Sequence, residues 1–475
     1  MATNKVLTVR GYSVLKSTIS EQQKNLIRKE LTATPLVPDA YAGASQSFKV
    51  WSESAERFYL PRAWGDTIFG PPESNSIPCG DPLPKSLVFQ GALRPHQEEA
   101  LQCFRESKHN GIICLPCGYG KTFTGIAAAK EIGKCFMIVV HKEFLADQWS
   151  EELTKLLPGV RIGRIQGERC DIGPEYDVAI AMIQTICSRA YQAGIFQRFG
   201  FAIFDEVHHL GAEHFSKTLQ SIQCKKMLGL TATPIRKDGL SKIFEWYLGK
   251  IVYQIKNRPK DSAVRVEALR YCCDVPEYAK VDTNWKGDTI RARMLNQIAK
   301  YSPRTTQIID WIYPYMKDQN RKLLILSDRR GHLTEFEKGF HKKGINDTGY
   351  YVGGMKQSDL DASATRQIIL GTFAMASEGM NIPTLNAILL ATPKSNIEQS
   401  VGRILRLKPE ERTVQPIIFD VLDNAFVECY GQWVKRKKFY RECGYWIHWL
   451  GDESNEGEEE NTIVEQKGMC LIGDD

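Results

Sequence analysis

From about residue 85 onwards, short apolar runs alternate with longer stretches in which apolar residues recur at helical spacing. Gly111–Leu115, Cys135–Val140, Asp177–Met182, Phe201–Phe204 and Met227–Leu230 are almost continuously apolar. Runs this short predict strands buried on both faces, and the amphipathic stretches between them predict crossover helices, so a parallel α/β sheet is expected. A second series follows at Lys322–Ser327, Gln367–Thr372, Ala387–Ala391 and Pro416–Val421. Between the two series, Lys256-Asn257-Arg258-Pro259-Lys260-Asp261-Ser262 is polar and carries a proline, which predicts a boundary near residues 256–264. No internal repeat aligns the two series. The first 80 or so residues mix polar stretches with turn signals and end in Pro71-Pro72-Glu73-Ser74-Asn75-Ser76-Ile77-Pro78, a linker or surface loop. Past residue 425, Phe426, Tyr430, Trp433 and Tyr440 fall near helical spacing beside Lys435, Arg436, Lys437 and Lys438. That pattern predicts an amphipathic helix with its aromatic side on the second lobe and its basic face in solvent. A DNA contact and a localisation signal are the other readings of the basic cluster. The expected division is an extension over 1–84, one lobe over 85–255, another over 265–425, a basic aromatic helix over 426–451 and an acidic tail over 452–475.

Length and composition sharpen this picture. A chain of 475 residues has room for about three domains, and 43% hydrophobic with 25% charged residues is ordinary for a folded chain. No apolar run approaches the roughly 18 residues of a spanning helix. Met1–Arg10 lacks an apolar segment, so no secretory signal is expected. The 13 cysteines follow no regular framework, which suggests reduced thiols in a soluble intracellular protein, nuclear or cytoplasmic. Net charge is +6. Residues 452–475 hold Asp452, Glu453, Glu456, Glu458, Glu459, Glu460, Glu465, Asp474 and Asp475 against Lys467, a balance of −8. Subtracting it leaves +14 on the remainder, a basic body compatible with a polyanion. The tail could compete with DNA for the basic cluster before it.

The strongest local chemistry is Leu115-Pro116-Cys117-Gly118-Tyr119-Gly120-Lys121-Thr122, between an expected strand and an expected helix. Gly118 and Gly120 let backbone N–H groups close around phosphate oxygens. Lys121 then reaches the outer phosphates and the Thr122 hydroxyl ligates Mg²⁺. The strict pattern wants glycine where Leu115 stands, so a plain glycine-rich turn is the competing reading. Cys114 and Cys117 form the chain's CxxC inside this loop, and a metal or redox role for them is the weaker reading. Asp205-Glu206-Val207-His208-His209 lies 84 residues after Lys121 and directly after an expected strand. There Asp205 is placed to hold Mg²⁺, and Glu206 to orient or deprotonate an attacking water. An acidic pair after a strand is also an ordinary helix cap.

These residues, in this order, resemble superfamily 2 nucleic-acid helicases of the DEAH/DEVH kind, over about residues 90–410. Leu93-Arg94-Pro95-His96-Gln97 is similar to the Q-type motif, which implies that Gln97 reads adenine with Arg94 nearby. His141 to Trp149 resembles motif Ia, and Thr231-Ala232-Thr233-Pro234 resembles motif III. Ser377-Glu378-Gly379-Met380-Asn381-Ile382-Pro383 resembles motif V, and Gln399-Ser400-Val401-Gly402-Arg403-Ile404-Leu405-Arg406 resembles motif VI. The resemblance implies ATP and Mg²⁺ as cofactors, Gly379 in the nucleotide site, and His208, Thr231, Thr233 and Gln399 as coupling residues. Arg403 and Arg406, expected one helical turn apart, would be arginine fingers, although Arg-x-x-Arg on a helix is also an ordinary solvated face. Asn381 stands where an aspartate commonly contacts the ribose. Lys142, Gln184, Thr185, Ser327 and Thr372 are the implied nucleic-acid contacts, each with a loop or cap reading beside it. Trp149 resembles a base-stacking platform but fits core packing better.

The closest branch is XPB-like, with likeness to such helicases of large DNA viruses, including the poxvirus transcript-release type. Arg236-Lys237-Asp238 departs from that branch's Arg-Glu-Asp element, which acts in DNA opening, by a lysine in place of the acid. The resemblance implies two tandem RecA-like lobes with ATP held in the cleft between them, closing and opening to ratchet along a strand. A DNA helicase or translocase acting on duplex DNA, with transcription or repair machinery as partner and no membrane, is the first expectation. An RNA helicase or transcript-release motor is the second, and an ATP-gated remodeller or scaffold that never unwinds is the third.

Overall fold

The computed structural model describes residues 3–34, 47–116, 118–192, 194–207, 212–232, 240–255, 260–285, 287, 289–378, 380, 382–407 and 409–450. Thr233, His208, Gly379, Asn381, Cys117, Arg236–Asp238 and the acidic tail therefore lie outside the described residues. Two compact units divide the chain, residues 1–257 and 258–475. Among the described residues no helix is long and apolar enough to cross a membrane.

The first unit is built on an eight-stranded sheet. Its order is Arg169–Cys170, Ile162–Gln166, Val178–Met182, Phe136–Val140, Phe201–Asp205, Lys226–Thr231, Asn110–Cys114 and Ile251–Gln254. Every pairing is parallel except that of the short Arg169–Cys170 edge. The central strands Phe136–Val140, Val178–Met182 and Phe201–Asp205 are buried at every position, which is why they read as unbroken apolar runs. Ile162–Gln166 alternates half-buried and buried residues and carries Arg164, so its signal is weaker. The chain before residue 80 is more structured than its turn signals suggest. Ser52–Glu53, Arg57–Leu60, Gly11–Leu15, Lys5–Thr8 and Ser74–Asn75 form a five-stranded sheet whose apolar side chains join the same core as Met137, Ala202 and Phe204. Arg62 locks the two sheets together by donating to the carbonyls of Cys224 (2.8 Å) and Lys225 (3.2 Å).

The second unit holds a seven-stranded, wholly parallel sheet: Thr348–Tyr351, Ile368–Thr372, Leu323–Ser327, Ala387–Leu390, Ile417–Asp423, Arg265–Tyr271 and Trp446–Trp449. The aromatic helix spans Val427–Glu442 and is followed by the Trp446–Trp449 edge strand, so residues 426–451 are not one helix. Cys443 and Gly444 end the helix, Gly444 at φ +68°, and turn the chain back onto Arg265–Tyr271.

Nor is Arg436 part of a solvated basic face. It is 2% exposed and makes a bidentate pair with Asp420, Nε to Oδ2 and Nη2 to Oδ1 both at 2.8 Å, with Tyr440 adding a third donor at 2.7 Å. Helical spacing sets Trp433, Arg436 and Tyr440 on one stripe, so the stripe that buries the aromatics buries the arginine with them. Arg436→Ala would leave Asp420 buried without its counter-charge. The expected loss is roughly 3–5 kcal/mol of stability, read as a lower denaturation midpoint of the second unit by urea titration. Lys438→Ala on the exposed side is expected to change it by less than about 0.5 kcal/mol.

Candidate active site

The phosphate-loop candidate leaves the carboxyl end of Asn110–Cys114 and enters the helix Lys121–Ile132. Gly118 and Gly120 have φ of +83° and +77°, left-handed values that side chains rarely adopt, so glycine is required by the backbone itself. At Gly120 a Cβ would also lie 2.3 Å from the Gln97 amide nitrogen. Leu115 is explained by its surroundings. Its N–H continues the sheet by donating to the Thr231 carbonyl (3.0 Å), and its side chain is fully buried in the apolar core. The departure from the strict glycine pattern therefore falls on a core position.

Gln97 is 3% exposed. Its Oε1 accepts from the Arg94 N–H (2.8 Å) and its Nε2 donates to the Tyr119 carbonyl (3.2 Å). His96 Nε2 lies 3.1 Å from the same carbonyl. Arg94 is the exposed N-cap of the helix Pro95–Glu106. Gln97 and His96 thus brace the loop from outside, a role that the sequence motif did not reveal.

Asp205 ends its strand and Glu206 turns the chain, at φ +48°. A non-glycine residue there is strained. That turn brings Glu206 Oε1 to 2.9 Å from Lys121 Nζ. Asp205 accepts the Glu206 N–H on Oδ1 (2.9 Å) and the Trp149 indole N–H on Oδ2 (2.8 Å). Burial, reinforced by the Glu206 charge, pushes the Asp205 carboxyl up to about 6, against the pull of Lys121 and Trp149. Thr122 stands on the first turn of the loop's helix. The sequence-predicted Lys121, Asp205 and Glu206 are thus brought together.

That shift has a measurable consequence in metal-free protein. A folded value above the free one means that the neutral acid is favoured in the fold, so stability from this group is present at low pH and lost as pH rises through about 6. The penalty accrues between the ordinary value of 3.8 and about 6 and is constant above that. In chelator, the melting temperature of Asp205→Asn relative to that of wild type, scanned calorimetrically, is expected to rise as pH increases from 4 to 8. The amide can accept only one of the two N–H donors that Asp205 takes, so the pH trend, not the offset at any one pH, carries the prediction.

The other predicted residues are less uniform. His141 is held neutral by burial first and by Lys142 second, and its carbonyl accepts from Gln184 Nε2 (2.7 Å). Lys142 is the N-cap of the helix Glu143–Leu156, and burial lowers its ammonium pKa. Gln184 is exposed, whereas Thr185 is buried and accepts the Gly167 N–H (3.1 Å). Thr231 is fully buried at its strand end. In the second unit Thr372 and Gln399 are half-buried. Ser327 is a correction: it is wholly buried, its hydroxyl 3.1 Å from His332 Nδ1 and accepting the Arg329 N–H, so it caps the chain after its strand and offers no surface contact.

The arginine pair is corrected in geometry too. The helix Glu398–Val401 ends before either arginine, so the two are not successive positions on one helix face. Arg403 is 8% exposed and donates from Nε to Ala376 O (2.6 Å) and from Nη1 to Met380 O (2.8 Å), gripping the segment that resembles motif V. Arg406 Nη2 donates to Met380 O at 3.5 Å.

A lysine on a glycine loop, a hydroxyl beside it and an acid pair at the carboxyl ends of parallel strands define a class, the nucleoside-triphosphate hydrolases of RecA-like fold. Comparison narrows it. Residues 90–236 match the family described as Type III restriction enzyme, res subunit. The chain is 32% identical over 430 residues to the "Putative ATP-dependent RNA helicase" of Acanthamoeba polyphaga mimivirus, covering 88% of this chain and 81% of that one. It is 27% identical over 357 residues to a protein so named in African swine fever virus, covering 70% and 68%. The solved structure of S. cerevisiae Dbp5 bound to RNA and ADP BeF3 shares the fold, with a TM-score of 0.55 and 11% identity over 75% of this chain and 90% of that one. The chain belongs to the superfamily 2 ATP-dependent helicases, in the group carried by large DNA viruses.

Proposed function

We propose that this chain couples hydrolysis of Mg²⁺-bound ATP to movement along a nucleic acid, with duplex DNA as the first substrate class. The observation that carries the reading is the Lys121–Glu206 contact at 2.9 Å beside the buried Asp205. Each Asp205 oxygen accepts one protein N–H, which leaves each a further lone pair for a metal-bound water. With the Thr122 hydroxyl, that is the hard oxygen set that Mg²⁺ prefers. Bound there, the ion would neutralise charge on the phosphate oxygens.

Lys121 would bind the outer phosphates, for which it would exchange its Glu206 partner. Glu206, so released, would accept the proton of the attacking water. Arg406 would supply positive charge to the γ-phosphate, while Arg403 would hold the Ala376–Met380 segment that positions it. Gln97 would set the loop and present its remaining hydrogen-bonding capacity to adenine. Lys142, Gln184 and Thr372 would touch the polymer backbone, a salt-sensitive and weakly sequence-specific mode. Transcription or repair machinery would be the partner.

DNA as substrate rests on the likeness to the XPB-like branch. RNA is supported equally, because the mimivirus and African swine fever virus relatives are named RNA helicases. Equilibrium binding to 20-mers of duplex DNA, single-stranded DNA and RNA, each over a range of salt, tests the choice. The first reading expects the tightest binding to duplex DNA with non-hydrolysable ATP present. Tighter binding to RNA would replace it with the second.

A further inference from the structure

We propose that Trp149 is a positioning residue for Asp205, fixing the orientation of the carboxylate that would hold the metal. The proposal rests on the reading of Asp205 as the acid that holds the metal.

Trp149 lies two turns into the helix Glu143–Leu156 and is 1% exposed. Core packing accounts for its burial but not for where its one polar atom points. The indole N–H can only donate, and it donates to Asp205 Oδ2 at 2.8 Å in a buried environment. A hydrogen bond to a carboxylate sheltered from water is stronger than one in solvent. With the Glu206 N–H on Oδ1, the two donors hold the carboxylate from both oxygens and fix its rotation.

The ring is closely packed. On the phosphate-loop helix, a Cβ placed on Gly125 would meet the indole Cη2 at 3.0 Å and Ile203 Cδ1 at 3.5 Å. The indole therefore packs against that helix, in the same buried cluster as Ile203 of the strand that carries Asp205. Its own helix begins at Lys142, beside the His141 carbonyl that takes the Gln184 amide. One rigid side chain thus links the helix nearest the proposed polymer contacts to the acid of the metal site. Neither a base-stacking platform nor an interchangeable core residue would make this bond.

The test is the Mn²⁺ affinity of the full chain saturated with ADP, followed by the electron paramagnetic resonance of free Mn²⁺, with melting temperature read in parallel. Trp149→Phe keeps most of the ring volume and removes the donor. It should weaken Mn²⁺ binding about tenfold, as loss of an outer-sphere partner does. Asp205→Asn should weaken it at least as much, and adding Trp149→Phe to Asp205→Asn should cost nothing further, because the indole acts through the acid. Gly125→Ala, which presses on the ring with its N–H intact, should act in the same direction and covers the case in which Trp149→Phe does not fold. The inference is overturned if Asp205→Asn weakens Mn²⁺ binding while Trp149→Phe and Gly125→Ala change only the melting temperature. Unchanged Mn²⁺ affinity in Asp205→Asn would instead remove the reading of Asp205 on which it rests.

Discussion

Glu206→Gln is expected to lower ATP turnover by about 10³-fold while nucleotide still binds. Glutamine fits the same space, and its amide oxygen can still accept from Lys121, 2.9 Å away in the wild-type chain. What disappears is the anion that would take the proton of the attacking water. Binding should improve if it changes at all. The Glu206 charge helps to raise the Asp205 carboxyl, so its removal leaves Asp205 more fully ionised at neutral pH. It also leaves Lys121 freer to meet phosphate. Steady-state phosphate release, set beside equilibrium binding of a fluorescent ATP analogue, checks both halves. Turnover within tenfold of wild type would exclude Glu206 as the base.

The arginine pair carries the second large effect, and the structure separates its members. Arg406 is half-buried where Arg403 is buried; Arg406→Ala is expected to lower kcat by about 10³-fold, the scale of a transition-state arginine, with a smaller loss of stability than Arg403→Ala. Arg403→Ala should lower activity and also unfold the second unit at lower urea, because the Ala376 and Met380 carbonyls would lose a buried cationic donor. Urea titration with kcat for each variant draws the distinction. Equal stability losses in both would show that they share one structural role.

Much of this fold was legible because the strands that build it are buried on both faces. Phe136–Val140 and Phe201–Asp205 have no polar face to confuse the reading. The strands that escaped notice sit at edges or carry charge: Ile162–Gln166 with Arg164, Arg265–Tyr271 with Glu267, and Trp446–Trp449 at the sheet margin. The N-terminal sheet was hidden for a related reason, since its strands are two to five residues long and bury themselves only against the larger core. At the site, Lys121, Asp205 and Glu206 were readable because their spacing follows strand and loop. Trp149 and Gln97 were assigned to packing and to adenine because sequence shows which residue is present, not which way its donor points. Arg436 and Ser327 show the converse error: a charge or hydroxyl in sequence suggests a surface, and a buried partner can reverse that.

The most direct test of an ATP-driven motor is steady-state ATP hydrolysis by the full chain, alone and with duplex DNA, single-stranded DNA or RNA. At least one polymer should raise turnover tenfold or more, and high salt should erase the rise. Turnover indifferent to all three would contradict the coupling of ATP to nucleic acid.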